Sequence, residues 1–463
     1  MKSTRIAIVA FLLAAVLQAQ AASLSTEGRG QVLLFPFITS ENDWDTYLGI
    51  KTAPTGGNIV RLRFLGARDG NLLHTFTIYS AEGEDWRAAV TRAGDGSLLR
   101  IAEGSCTLAD SGQFGGAGDE FPLAAGVMML EAYAVSLRLG EELVESSCAE
   151  IAARWDSGGD WRADPDDGLE EDDWVFSYFA EGYAVGIAGY FDLVNVEKAL
   201  SATLPATALR NVIENVPHTA PDAETPNLMD ADAIVQMPDG TTLEPASGEG
   251  IDAVAMVLAV HEPQPPGNFS PGVIANDVIT AKGVNASTDW IVTLPLRGYR
   301  TYGDVIEYEG EVRQCDPLGA VIIGENFVTF NRSLDRSWST WGEGVMHNGR
   351  FSGIAIDPVP PLGSAPFLCS AVNVLTFGDS DPIFLSEDAE GQYRAEGFRF
   401  DSWSDVVRTM EYRFLNFRNP PHEFRGRPVL GFRATTFVNN TLGGSTRAIL
   451  SNYMTLREHD TGS

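Results

Sequence analysis

The most concentrated chemistry in the chain lies in four acidic side chains, Asp164, Asp166, Asp167 and Glu170, in the segment Asp164-Pro165-Asp166-Asp167-Gly168-Leu169-Glu170. Hard divalent cations bind where several oxygens converge, and a loop with carboxylates at alternate positions and a turn glycine achieves this. Asp164 and Asp166 have the alternate spacing. The third ligand position then falls on Gly168, which has no side-chain oxygen, and the turn position falls on Leu169. The segment is a non-standard Ca²⁺ candidate, set against a plain reading as a solvated acidic face. Asp230-Ala231-Asp232 and Asp379-Ser380-Asp381 are weaker versions of the same idea.

Other chemistries lack their spacing. The six histidines (His74, His218, His261, His347, His422, His459) form no H-E-x-x-H or other close ligand pair, and His74 and His459 are expected in plain surface or packing roles. No G-x-S-x-G, P-loop or dinucleotide fingerprint occurs, and Gly115-Gly116-Ala117-Gly118, lacking a partner lysine, reads as a flexible loop. Paired carboxylates for glycoside hydrolysis can lie far apart in sequence, so that chemistry stays open. Trp155, Trp161, Trp174, Trp338 and Trp341 offer either sugar-stacking faces or core packing. No residue is assigned a catalytic or cofactor-binding role.

The four cysteines, Cys106, Cys148, Cys315 and Cys369, suit an oxidising compartment. Three pairings are formally possible. Cys106–Cys148 with Cys315–Cys369 is preferred because each pair then lies inside one candidate domain. No C-x-x-C motif supports a redox or zinc site.

The formal net charge is −31, and only four of the 32 basic residues are lysine. Such a surface repels phosphate backbones and anionic lipid, which argues against nucleic acid as a partner. Lys2 and Arg5 precede an apolar run at 6–17 and the small-x-small triplet Ala19-Gln20-Ala21. Residues 1–21 therefore read as a secretory signal, with a mature chain from Ala22 and no lipidated cysteine there. No later stretch has the roughly 18 uncharged apolar residues of a spanning helix. The expected location is periplasmic, cell-surface or extracellular.

The elements that would position these residues are mostly short alternating strands. Residues 30–103 read as consecutive strands with close turns; in Val60-Arg61-Leu62-Arg63-Phe64 the apolar residues share one face and the arginines the other. The expected fold class is mainly β, an antiparallel β-sandwich of immunoglobulin-like units with a few short helices. Helical spacing is read at 136–155 and, interrupted by Pro205, at 195–216; residues 251–260 read as an apolar strand or buried helix. The expected domains are an N-terminal sandwich at 22–155, an acidic connector at 156–173 and a second β-rich region at 174–463, divisible into 174–267 and 268–463. Residues 286–295 read as a hinge. Ser287, Thr288 and Asp289 would form a turn bonded to its own backbone, feeding a strand with Trp290, Val292 and Leu294 inward.

Several of these stretches carry a resemblance. The opener Gly30-Gln31-Val32-Leu33-Leu34-Phe35-Pro36-Phe37, the strand Val60 to Phe64, the segment Ala286-Ser287-Thr288-Asp289-Trp290-Ile291-Val292-Thr293-Leu294-Pro295, Leu368-Cys369-Ser370-Ala371-Val372-Asn373-Val374-Leu375 and Gly426-Arg427-Pro428-Val429-Leu430-Gly431-Phe432 with Phe437-Val438-Asn439 occur in one order. In that order the chain resembles a family of uncharacterised secreted bacterial β-rich proteins. It departs from that family at residues 37–49, where its loop is more acidic. The resemblance implies export and a long β-rich chain, and brings no activity, cofactor or site residue.

Together these features point to an exported, non-enzymatic structural or adhesive protein that binds a protein or glycan through loops. A hydrolase acting on an extracellular polymer is the alternative, and a Ca²⁺-dependent assembly module the third reading. A Ca²⁺ site at Asp164, Asp166, Asp167 and Glu170 requires the melting midpoint to rise on adding Ca²⁺ and fall again with chelator; an unchanged midpoint removes it.

Overall fold

The computed structural model describes residues 21–139, 186–258 and 272–323, with short breaks at 53–56, 81–84, 95, 104–105, 215, 217, 237–241, 246, 280–285, 301–303 and 309–310. It also describes 148–152 apart from 150, 367–377 apart from 369, and 356–358, 383–384, 398–400, 407–414, 428–438 and 452–459.

In chain order the first strands are β1 (Ser23–Leu24), β2 (Arg29–Gly30), β3 (Val32–Thr39), β4 (Trp44–Lys51), β5 (Gly57–Gly66), β6 (Leu72–Ser80), β7 (Asp85–Ala93) and β8 (Gly96–Glu103). Next come β9 (Cys106–Ala109), β10 (Phe114–Gly115), β11 (Glu120–Leu123), β12 (Val127–Leu139), β13 (Ile187–Asn195), β14 (Leu200–Pro205) and β15 (Thr207–Arg210). They form two antiparallel sheets. The front sheet runs β1-β15-β3-β12-β5-β6-β9-β10, and the back sheet runs β11-β8-β7-β4-β13-β14 with β2 beside β13. The fold is thus mainly β and an antiparallel sandwich. Its sheets carry eight and seven strands, more than the seven to nine that complete an immunoglobulin domain. Strands from both sides of the acidic connector are interwoven: β4 is paired along its whole length with β13, while β15 pairs with β1 and β3.

The pleat explains which side chains meet. Successive residues of a strand point to opposite faces. On β3, Leu33, Phe35 and Phe37 enter the core between the sheets, whereas Val32 and Leu34 enter a second core outside the front sheet. Val60, Leu62 and Phe64 likewise point into the first core. The second core is closed by residues 211–258, which carry a 3₁₀ turn (Leu228–Asp230), a small ribbon of β16 (Val235–Gln236) and β17 (Thr242–Leu243), and helix α1 (Gly250–Leu258). The apolar 251–260 stretch is thus a buried helix over its described part. Both faces of the front sheet are covered, so all eight residues of β3 are buried.

Residues 195–216, expected to be helical, form β14 and β15 instead. Leu200 and Leu204 are the buried residues of β14, and a spacing of four satisfies both a helical stripe and a strand's alternate face. Sheet pairing with β13 decides between them. The helical spacing read at 136–155 gives way to β12 as far as Leu139, while Cys148, Ala149, Ile151 and Ala152 are helical.

After α1 come β18 (Gly272–Ile279), β19 (Ala286–Thr293), β20 (Asp304–Tyr308), β21 (Glu311–Ile323), β22 (Ile356–Pro358), β23 (Phe367–Leu368) and β24 (Val372–Phe377). The last strands are β25 (Phe398–Phe400), β26 (Val407–Phe414), β27 (Leu430–Phe437) and β28 (Tyr453–Glu458). An end sheet of order β24-β19-β27-β28 packs on the sandwich, and its Ile291, Val372, Val374, Phe432 and Ala434 join the first core. A second sheet runs β18-β26-β21-β20, and β22 pairs with β25. Ser287, Thr288 and Asp289 are not a turn. They lie within β19, paired on both sides with β24 and β27 over most of their length. Alternating hydroxyl, acid and β-branched residues fit a doubly flanked strand once their polar groups find partners.

Phe384 is the plug between the sandwich and the end sheet. Its ring centroid lies 5.1 Å from Phe37, 5.1 Å from Trp44 and 6.4 Å from Phe432. Asn42 Nδ2 and Trp44 Nε1 both donate to the carbonyl of neighbouring Ile383, at 2.9 and 2.8 Å. Phe384 is fully buried, so Phe384→Ala is expected to cost about 3–5 kcal/mol in denaturant unfolding; a loss below about 1 kcal/mol would show that the end sheet does not depend on it.

Candidate functional site

Polar side chains cluster on the outer face of the front sheet, beneath the cover formed by residues 211–258. Arg61 and Arg63 occupy the β5 positions between the inward Val60, Leu62 and Phe64, and both are buried. Arg61 donates to Thr77 Oγ1 at 2.8 Å and to the carbonyls of Ala220, Pro221 and Ala223 at 3.1, 2.7 and 2.9 Å. One guanidinium thereby gathers a loop that has no sheet of its own. Burial lowers its pKa to about 10, so it stays charged at neutral pH. Nearby, the Tyr79 hydroxyl lies 3.0 Å from Nε2 of the buried His218. Gln31 fixes the start of the cover, its Oε1 accepting from the backbone N–H of Val212 and Ile213 at 2.9 and 2.8 Å.

Glu131, across from Arg63 in the β12–β5 register, is the centre of a second group. Its Oε2 accepts from Arg63 Nε at 3.3 Å, the Tyr133 hydroxyl at 2.8 Å and the Tyr299 hydroxyl at 2.6 Å. Burial pushes its carboxyl pKa up, while Arg63 and the two hydroxyls pull the other way. Asp252, buried on α1, accepts from Arg300 and from Ser247 Oγ, the latter at 2.6 Å. Asp289 Oδ2 accepts the backbone N–H of Ile383 at 2.9 Å and of Phe384 at 3.3 Å. The acid therefore locates the plug.

His459 follows β28 and is buried against Trp290, with ring centroids 5.0 Å apart. Nε2–H donates to the Ile291 carbonyl at 2.8 Å, which leaves Nδ1 to accept from Asn276 Nδ2 at 3.3 Å. Burial lowers its pKa to about 4; the Ile291 carbonyl opposes this, and the Arg433 charge adds to it. The ring fits because Gly431 opposite it, at φ +141°, has no Cβ to strike the Ile291 carbonyl.

His459 also lines a cavity of about 330 Å³ between the sandwich and the end sheet. Its floor includes the buried Phe191, Leu204, Leu258 and Phe432, and its mouth includes Leu24, Ser25, Thr207 and Glu458. Glu458 is the one acidic residue among the described lining.

The expected site residues fall differently. Cys106 and Cys148 form a disulfide with Cα atoms 4.7 Å apart. Cys369 lies outside the described residues and Cys315 is described only in its backbone; their chain neighbours Leu368 and Asp316 are paired across β23 and β21. Asp164, Asp166, Asp167 and Glu170 lie outside the described residues, as do Trp155, Trp161, Trp174, Trp338, Trp341 and Asp379-Ser380-Asp381. Asp230 and Asp232 do not converge on an ion position: Asp230 caps the 3₁₀ turn through the Asn227 N–H at 2.9 Å, and Asp232 accepts the Glu214 N–H at 2.9 Å. Among the described residues no group of three or more His, Cys, Asp or Glu could hold a metal ion. His74 Nδ1 meets Asp110 at 3.1 Å and its Nε2 accepts the Ala124 N–H at 3.2 Å, a packing role. Gly116 turns through its N–H to Asp119 Oδ2 at 2.7 Å.

No family model, curated protein or solved structure matches the chain. No helix among the described residues is long and apolar enough to cross a membrane.

Sequence reading missed Glu131 and the two arginines as buried groups, while His459 has the packing role expected of it. A lone acid inside the apolar run Val127 to Val135 was the available signal for Glu131. The partners of His459 lie on β18 and β19, where no local pattern points to them.

Two outcomes follow from these networks. Arg63→Met strands the Glu131 carboxylate and is expected to cost about 3–5 kcal/mol in urea unfolding, whereas Arg63→Met with Glu131→Gln should be the more stable of the two variants. A double variant no better than the single one would remove the charge pair from the account. For His459, the unfolded ring binds a proton near its ordinary pKa of 6.5 while the folded ring does so only near about 4. Its contribution is therefore complete above pH 6.5 and declines as pH falls from 6.5 to about 4, by at most about 3 kcal/mol. The difference in unfolding free energy between wild type and His459→Gln should shrink over that window; a pH-independent difference would contradict it.

Proposed function

We propose that the chain is an exported, non-enzymatic structural or adhesive protein of the cell surface or extracellular space, which binds a protein or a glycan through its loops. Export rests on the signal-like residues 1–21 and on the cysteine usage. The observation that carries the rest concerns the carboxylates. Among the described residues the buried acids are Glu131, Asp252 and Asp289. Each accepts from internal donors that hold one layer against another, and none lines the cavity. Most glycosidases use two carboxyl groups facing one another across the scissile bond of an accessible substrate. Here the buried acids serve as cross-links, and the cavity mouth has one acid.

Loops at the ends of a rigid sandwich are the usual place for recognition, as in immunoglobulin-like binding domains. The strongly acidic surface adds a bias towards neutral or basic partners.

The purified mature chain is expected to be retained on immobilised extracellular glycans or on a cell-surface protein fraction, with polymers recovered at unchanged length. Shortened polymer in size-exclusion profiles, lost on Glu458→Gln, would overturn this reading in favour of a hydrolase.

A further inference from the structure

The cavity beside His459 holds none of the buried carboxylates that cross-link the layers. It lies where β14, β15, β27 and β28 meet the last residue of α1, a junction between packed units of the kind that hosts small-molecule sites. Its volume, about 330 Å³, is at the small end of ligand pockets. Four features define what it would accept. Phe191 and Phe432, with ring centroids 6.0 Å apart and no accessible surface of their own, underlie its floor, and the apolar surface open to a ligand belongs to Leu24, Pro205 and Leu430. Ala206 and Ala208 keep the wall shallow where larger residues would fill it. Both His459 nitrogens are already committed to Ile291 and Asn276, so the ring offers the cavity a neutral surface. At the mouth, Ser25, Thr207 and Glu458 supply polar groups, and no Lys or Arg occurs among the described lining residues.

We propose that this cavity is a binding site for a small uncharged molecule with an apolar or aromatic body, held against Leu24, Pro205 and Leu430, its polar end at Ser25, Thr207 and Glu458. That apolar surface drives transfer of the body from water, while the polar rim leaves the other end hydrated. Charge sets the selection. An anion would meet Glu458 and the field of a chain of net charge −31, with no lining cation to receive it. This inference is independent of the adhesive reading, since a loop-borne partner and an internal ligand use different surfaces.

The test uses two probes that share one body. N-phenyl-1-naphthylamine is neutral, and 8-anilinonaphthalene-1-sulfonate adds a negative charge. Titrated into the purified full chain, the neutral probe should show saturable fluorescence enhancement at one site per chain and bind at least about tenfold tighter than the sulfonate. Ala208→Leu, which fills the wall, should weaken the neutral probe at least about tenfold. Leu24→Trp narrows the mouth from an exposed position and so spares the fold. It should slow entry or weaken binding even if Ala208→Leu proves unstable. Absence of saturable binding, equal affinity for both probes, or wild-type binding in both variants would overturn the proposal.

Discussion

Covering both faces of the front sheet is the constraint on which the rest of the molecule depends. A sheet exposed on one side can send its alternate residues to water. Here β5 carries Arg61 and Arg63 and β12 carries Glu131 on the face away from the sandwich core, and residues 211–258 lie over them. Water is no longer available, so each charge must be met from the cover or the neighbouring strand, because an unmatched buried ion costs several kcal/mol. Arg61 meets three carbonyls of one loop; Arg63 meets Glu131 and, through it, two tyrosines. The order of the elements follows. The cover must be placed to satisfy the sheet, and the sheet must be in register for Arg63 to face Glu131.

The end sheet is bound by the same logic on a smaller scale. Asp289, in the middle of β19, has its carboxylate turned to the backbone of Ile383 and Phe384, which in turn accepts from Asn42 and Trp44 of the sandwich. Thr293 reaches the Pro36 carbonyl at 2.7 Å. Proline at that position donates nothing to the ladder, and β3 tolerates it where a register shift falls opposite, between Met128 and Leu130 of β12. These bonds are few, and each contributes on the order of 1 kcal/mol net. The apolar core that Phe37, Phe384 and Phe432 complete supplies the larger share, and the bonds fix where the aromatic rings land.

What could be read from the sequence divides along range. The inward face of Val60, Leu62 and Phe64 and the antiparallel sandwich were legible, because a period of two is local. The burial of Arg61 and Arg63 was not, since it depends on a layer about 160 residues later in the chain. Asp289 was read as a turn residue for the same reason: Ser-Thr-Asp favours local backbone bonds when no distant N–H is known to be waiting. Residues 195–216 failed differently. A leucine spacing of four fits either period, and only the partner strand β13 settles it.

The buried charges also explain why a chain so rich in acids keeps several of them inside. Replacing a buried ion pair with well-packed apolar residues is often neutral or stabilising, so stability alone does not account for Arg63 and Glu131. Two apolar faces pack acceptably at several offsets, whereas a guanidinium held by Ala220, Pro221 and Ala223 is satisfied at one. The polar groups therefore select the offset and the apolar groups supply the energy. Among the described residues, that division leaves the cavity by His459 as a place where offset is fixed by hydrogen bonds but volume is not filled. Asn276 and Ile291 hold the imidazole rigid from behind, and Ala206 and Ala208 leave the front open.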